Sequence, residues 1–187
     1  MKWNRNGSLN HLEKGYVAYV IGGNGWTKRL PFEKMVELCD RINKPIILVG
    51  GKEDSAAGDR LEKFFNSKAS SPEVEAGLQL LGKKTIIYNA CGKFNLSQSA
   101  WLVKNAEVVF GHDTGLTHIA AAFQKTIFSI WGSTAPNNFY PYGTHFFLLE
   151  NKKLKCRPCS GSGRSTCPKG HFKCMKDLVF DFNLEKR

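Results

Sequence analysis

Apolar residues in this chain come in short solid blocks, and nearly every block runs into glycine. Tyr16–Ile21 leads into Gly22-Gly23, Pro45–Val49 into Gly50-Gly51, and Thr85–Tyr88 into Cys91-Gly92. Glu107–Phe110 leads into Gly111, and Thr126–Trp131 into Gly132. Blocks of this length that do not alternate with polar residues predict strands buried on both faces. Between them the spacing turns helical. Phe32, Met35, Val36, Leu38, Cys39 and Ile42 mark one helix, entered through Pro31, a favoured first residue. Leu96 to Lys104 and Leu116 to Phe123 mark two more, and Asp54 to Ser67 a fourth, weakened by Gly58. Strand, loop and helix repeated in this way predict an α/β fold, a parallel sheet with helices on both faces. In such sheets ligands sit at the carboxyl ends of the strands, where all these glycine loops fall. A further strand is expected at His145–Glu150, and no internal sequence repeat is present.

Beyond residue 150 the pattern changes. Asn151 to Lys173 is a Lys, Cys, Gly and Ser segment with little periodicity, and a short apolar stretch, Met175 to Phe182, follows. The expected organisation is an N-terminal extension over 1–14, an α/β domain over 15–150, and a Cys-rich basic segment over 151–187 whose C-terminal helix packs on the same domain. The charge is equally uneven. The net charge is +11; residues 1–150 carry 17 Lys and Arg against 13 Asp and Glu, and residues 151–187 carry 10 against 3. That tail suggests an anionic partner or a solvated face. Hydrophobic residues make up 42% and charged residues 23%, as in a globular domain. No apolar run approaches the roughly 20 residues that cross a bilayer. The first ten residues lack the apolar core of a signal peptide, so a cytoplasmic location is expected.

The candidate chemistry lies at the glycine edge. In Val108 to Ala122 a strand breaks at Gly111, turns through His112-Asp113-Thr114-Gly115 and restarts as a helix at Leu116. A helix that opens directly off a strand presents unpaired N–H groups and a positive dipole end, a natural anion site. Asp113 or Thr114 is expected to cap that helix, Gly115 lets a bulky group approach the backbone, and His118 lies in the first turn. The first loop, Gly22 to Arg29, is glycine-rich and ends Thr27-Lys28-Arg29, a set of amides, hydroxyl and ammonium that suits a diphosphate. It is neither a Walker A loop nor a dinucleotide fingerprint. The second loop places Glu53 and Asp54 just past a strand end, where an acid either accepts from ribose hydroxyls or stabilises the next helix. The expectation is that segments 22–28 and 111–118 converge on a pyrophosphate. Trp131, Tyr140 and Tyr142 fall near the same edge, for stacking on a ligand or for the core.

Cys156, Cys159, Cys167 and Cys174, with His171 among them, form a second cluster. Four thiols in a short Gly-rich loop fit a structural zinc site; free thiols and two disulfides are the alternatives. The basic residues around them, among them Lys153, Lys155, Arg157, Arg164, Lys169 and Lys173, also raise a nucleic-acid-binding module as a competing reading. No recognition helix follows at zinc-finger spacing, so no nucleic acid is expected as partner.

In order along the chain stand Thr27-Lys28-Arg29-Leu30-Pro31, Leu48-Val49-Gly50-Gly51, Cys91-Gly92-Lys93, His112 to Ala122 and Trp131 to Pro136. Cys156-Arg157-Pro158-Cys159 and Cys167 to Met175 complete the series. Together they resemble the C-terminal half of the ADP-heptose:lipopolysaccharide heptosyltransferases, glycosyltransferase family nine, from about Gly15 to Met175. The resemblance implies a Rossmann-like, donor-binding half of a GT-B fold and an inverting transfer of heptose from ADP-heptose to an anionic lipopolysaccharide core acceptor. Peripheral association with the inner membrane follows from the same resemblance. By motif matching, Thr27, Lys28, Asp113, Thr114, Gly115, Leu116 and His118 would hold the donor, and Glu53 or Asp54 the ribose. No cofactor is implied and no Asp-x-Asp metal motif is present. Thr117 stands where many relatives carry methionine. The general base of the family lies in an acceptor-binding half with no counterpart among these residues, so binding without efficient turnover, or a catalytically inactive nucleotide-binding remnant, is also expected.

Overall fold

The computed structural model describes residues 15–67, 85–137 and 139–184. Six strands lie where the apolar blocks predict them. They are β1 (Val17–Val20), β2 (Ile46–Val49), β3 (Ile87–Asn89), β4 (Val108–His112), β5 (Ile127–Trp131) and β6 (Phe146–Glu150). They form one sheet in the order β3-β2-β1-β4-β5-β6, and every pairing is parallel. Helices α1 (Phe32–Ile42), α2 (Ser55–Asn66), α3 (Leu96–Asn105) and α4 (Gly115–Ala122) connect the first five strands. The chain thus has the α/β, Rossmann-like architecture expected of it.

The two sheet faces bury different sets of residues, which explains the unbroken apolar blocks. Val17 and Tyr19 of β1 point into a core shared with Leu38 and Ile42 of α1, Leu61 of α2, and Met175, Leu178 and Phe180. Ala18 and Val20 point the other way, into a core shared with Leu102 and Val103 of α3 and Ala120 and Ala121 of α4. Local signals set the helix ends. Asn43 closes α1 in the left-handed conformation. Asn95 caps α3 by accepting from the Gln98 N–H at 2.9 Å, while Gln98 returns a bond to the Asn95 N–H.

One expectation changes. The C-terminal helix is a single turn, α5 (Lys173–Lys176), and the apolar residues after it seal the sheet as irregular chain, with Leu178 and Phe180 buried. Four residues make barely one turn, and packing onto the core holds this segment in place of helical hydrogen bonds. The extension over 1–14 lies outside the described residues.

The strand order reverses between β1 and β4. Val20 pairs with Gly111, so the exits of these strands stand side by side at the carboxyl edge. That is the switch point at which open α/β sheets form a crevice.

Candidate functional site

At this switch point lies a cleft of about 420 Å³ lined by Val20, Gly22 to Gly25, Arg29, Gly50, Gly51, Glu53, Asp54, Thr114 and Leu116. Its volume suits a small-molecule ligand. Three strand exits build it. The β1 exit contributes the glycine loop, which then winds into a 3₁₀ turn at Trp26–Lys28. Gly25 has φ +95, and a Cβ there would come within 3.2 Å of the Gly163 backbone, so glycine is required for both the turn and the contact. The β2 exit contributes Gly50 to Asp54, and the β4 exit contributes Thr114 and Leu116.

Asp54 joins the first two loops. It is 3% exposed, accepts from the Gly51 N–H at 2.9 Å and pairs with Arg29 Nη1 at 3.1 Å. Burial raises its carboxyl pKa, and the Gly51 N–H and Arg29 oppose that rise. Side chains at Gly22 or Gly50 would come within 2.7 or 2.8 Å of its Oδ2, so both exits need glycine to admit it. Of the two acids raised for the ribose, Asp54 is therefore committed within the protein, while Glu53 is exposed and lines the cleft.

His112, at the end of β4, ties the β4 and β1 exits together. It is fully buried; its Nε2 accepts from the Leu30 N–H at 3.1 Å, and its Nδ1 faces the carbonyls of Ile21 at 3.1 Å and Gly22 at 3.3 Å. This pattern requires one protonated and one free nitrogen, a neutral ring. Burial lowers its pKa to about 4, although the Gly22 and Ile21 carbonyls act in the opposite direction.

The other predicted residues divide. Thr114 occupies the N-cap position of α4, yet neither it nor Asp113 caps the helix through its side chain. Asp113 turns to Lys28 Nζ at 2.6 Å and accepts from Thr134 Oγ1 at 3.2 Å. The side chains of Lys28 and Asp113 are each 10% exposed, and neither lines the cleft. The first turn of α4 therefore meets the cleft with no side-chain oxygen on its N–H groups, which keeps its anion-binding character. Around Gly115 there is open space. Thr27 is buried; its Oγ1 lies 2.8 Å from Ser133 Oγ and accepts from the Arg164 N–H at 2.8 Å, a structural role. His118 is exposed and outside the lining. Trp131 is 1% exposed and bonded to Ser129 Oγ, a core residue; Tyr140 stacks on Phe146, and Tyr142 is exposed. None of the three lines the cleft. Arg29, which the motif reading passed over, does line it. Its position beside Lys28 at the end of a basic loop was the signal available.

The Cys-rich segment straps over the back of this site. Cys159 N and Ser160 N donate to Ser133 O, and Thr27 N donates to Arg164 O. Arg157 anchors the strap by donating to the carbonyls of Gly132, Asn151 and Thr134 and to Glu150 Oε2. The thiols lie near one another: burial pushes Cys174 up to about 11, Arg157 opposes this, and Cys159, Cys167 and Cys156 add to the rise. Cys156 Sγ is 3.8 Å from His171 Nε2. All six cysteines are free, and among the described residues no three His, Cys, Asp or Glu side chains are grouped to hold a metal ion. Cys156, Cys159, Cys167 and Cys174 thus share one strap without being drawn into a ligand set. Backbone and arginine hydrogen bonds position the strap.

Residues 4–169 match the family model described as glycosyltransferase family 9 (heptosyltransferase). The chain belongs to glycosyltransferase family 9. It is 24% identical over 181 residues to lipooligosaccharide heptosyltransferase 2 of Haemophilus influenzae, covering 93% of this chain and 46% of that protein. The solved structure of the ADP-heptose lipopolysaccharide heptosyltransferase II of Escherichia coli superposes with a TM-score of 0.58 at 19% identity, over 87% of this chain and 46% of that one. Escherichia coli heptosyltransferase WaaC, solved with ADP, superposes with a TM-score of 0.52 at 20% identity, over 72% of this chain and 38% of that one. This family 9 chain spans less than half the length of these relatives.

Proposed function

We propose that the cleft binds a nucleoside-diphosphate sugar of the ADP-heptose type, and that the chain supplies the donor side of an inverting transfer to a lipopolysaccharide core. The observation that carries this reading is the uncapped first turn of α4 opening beside three glycine-lined strand exits. A diphosphate over Gly22 to Gly25 and the α4 amides meets backbone donors and a helix dipole. Glu53 is the acid placed to accept from ribose hydroxyls. Family membership, and relatives named for heptosyl transfer and for bound ADP, support the choice of nucleotide and sugar.

In the reaction an acceptor hydroxyl attacks the anomeric carbon, the bond to the diphosphate breaks, and configuration inverts. The cleft stabilises charge on the departing diphosphate; preorganised donors of this kind are each worth about 10²–10³ in rate. Asp54 and Asp113 are engaged with Arg29 and Lys28, so neither acts as general base. The acceptor's proton passes to a base from outside this cleft. Among the described residues no helix is long and apolar enough to cross a membrane. Lys152, Lys153 and Lys155 are exposed and suit approach to an anionic acceptor at a cytoplasmic membrane face. Arg157, one of the residues behind the nucleic-acid reading, is buried in internal bonds.

A thermal-shift titration with ADP, UDP, GDP and ADP-heptose tests the reading. ADP and ADP-heptose are expected to stabilise the protein, by about 2.7 kcal/mol at a hundred times Kd. A melting temperature unmoved by all four ligands would refute it.

A further inference from the structure

We propose that the flank formed by α3, the end of α4 and the connection from β5 to β6 seats on an anionic lipid bilayer, with Trp101, Phe123 and Tyr142 entering the headgroup layer and Lys104 and Lys125 facing its phosphates. None of these residues lines the cleft, and the proposal does not need the nucleotide reading. Helices that link parallel strands run back against them. The C-terminal ends of α3 and α4 therefore lie at the sheet edge opposite the cleft. On the outer side of α3, Trp101 is 54% exposed, and Lys104 is exposed three residues further on. Residues at that spacing share one helix face. Lys104 Nζ sits 5.6 Å from the ring centroid of Phe123, the exposed residue that closes α4. The β5–β6 connection is fastened beside this helix end. Thr144 Oγ1 donates to Lys125 O at 2.7 Å, and Ile127 N donates to His145 O at 3.0 Å. Gly143, at φ +75, faces Gln124, which brings Tyr142 next to the end of α4 with 81% of its surface exposed. Tyr140 stacks on Phe146, and Phe146 packs into the core on the α3 and α4 side of the sheet. One side of the sheet thus carries the whole set.

The chemistry of the flank selects a bilayer over a protein partner. Aromatic rings are enriched in protein interfaces as well, but lysine is depleted there. Trp and Tyr combine an apolar ring with a polar tip, which suits them to the boundary between headgroups and acyl chains. Lysine stems lie along such a surface while the ammonium stays among the phosphates. Leu96, the exposed aliphatic residue of α3, stands at the other end of that helix. The charge is complementary too. Residues 96–149 hold two acids, Glu107 and Asp113, and each is 2.6 Å from a lysine of another segment, Lys44 and Lys28. Lys104 and Lys125 have no carboxylate partner among the described residues. The net charge of +11 draws the whole chain toward an anionic surface, and the exposed rings decide which face arrives first. Seated in this way, the protein keeps its glycine-lined edge clear of the lipid.

Vesicle co-sedimentation of the full chain tests the proposal. Binding is expected to phosphatidylcholine vesicles that contain about 30% phosphatidylglycerol, and to fall at least about 10-fold on pure phosphatidylcholine. Lys104→Gln/Lys125→Gln is expected to weaken binding to the anionic vesicles by about 10- to 30-fold. Lys52→Gln/Lys63→Gln removes the same charge on the other side of the sheet and is expected to stay within about 3-fold of the parent. Trp101→Gln/Tyr142→Ser is expected to cost about 10-fold or more, with an unchanged melting temperature because both side chains are exposed. Lipid brominated in its acyl chains is expected to quench the fluorescence of the parent and much less that of Trp101→Phe, a readout that leaves the fold intact. Absence of parent binding to the anionic vesicles would overturn the proposal, as would equal losses in the two lysine pairs or quenching that Trp101→Phe does not reduce. Concentration-dependent self-association that Trp101→Gln/Tyr142→Ser abolishes, with vesicle binding unchanged, would overturn it in favour of a second copy of the chain.

Discussion

Replacing His112 with glutamine isolates the residue that ties the β1 and β4 exits. A neutral glutamine can in principle donate toward the Ile21 and Gly22 carbonyls and accept from Leu30 N–H, but it does not titrate. In the folded protein burial holds the His112 pKa at about 4, against an ordinary value of 6.5. Folded-state depression of a histidine means that the unfolded chain takes up the proton first as pH falls. The stabilisation is therefore fully present above pH 6.5 and is lost between 6.5 and about 4. The interval corresponds to roughly 3 kcal/mol. Protonation also removes the acceptor for Leu30 N–H, which loosens the entry to α1 and the glycine loop it follows. Urea unfolding of the parent and His112→Gln proteins at half-unit steps from pH 7.5 to 4 measures this. Acidic groups titrate in both proteins, so the difference between the curves is what counts. The parent's advantage is expected to shrink by roughly 3 kcal/mol across the interval. Parallel curves would show that His112 is not held neutral by burial, and the account of how the two strand exits are joined would fail with it.

Two further outcomes follow from the strap. Arg157→Met removes the donor to three carbonyls and leaves Glu150 without its buried partner, an expected loss of about 3–5 kcal/mol. In a chain of this size that lowers the melting temperature by about 6–20 °C, and a change under about 2 °C by differential scanning calorimetry would contradict the anchoring role. Ellman's reagent at pH 8 is expected to label the partly exposed Cys156, Cys159 and Cys167 in the native protein, Cys174 more slowly, and Cys39 and Cys91 on unfolding. Protection of all four strap thiols that a chelator lifts would instead point to a zinc site.

The periodicity of the chain determined most of the fold. Each apolar block became a strand because burial on both sheet faces demands an uninterrupted apolar run, and each glycine exit fell on the ligand edge because parallel strands share one carboxyl end. The motif at 111–116 likewise marked the turn where α4 opens off β4, since a strand that becomes a helix must leave N–H groups unpaired. Gly58 shows the limit. In sequence it only weakens a helix, whereas in the fold a side chain there would come within 2.2 Å of Asn89 Oδ1, a contact between α2 and β3. The division of labour at the site was equally invisible. Lys28 and Arg29 are neighbours with the same charge, and Glu53 and Asp54 are neighbours with the opposite one. Which of each pair has its charge taken up within the protein depends on where Asp113, Gly22 and Gly50 lie across the sheet edge. Chain order determined which groups reach this edge; the distances between separate strand exits decided which of their charges the protein keeps for itself.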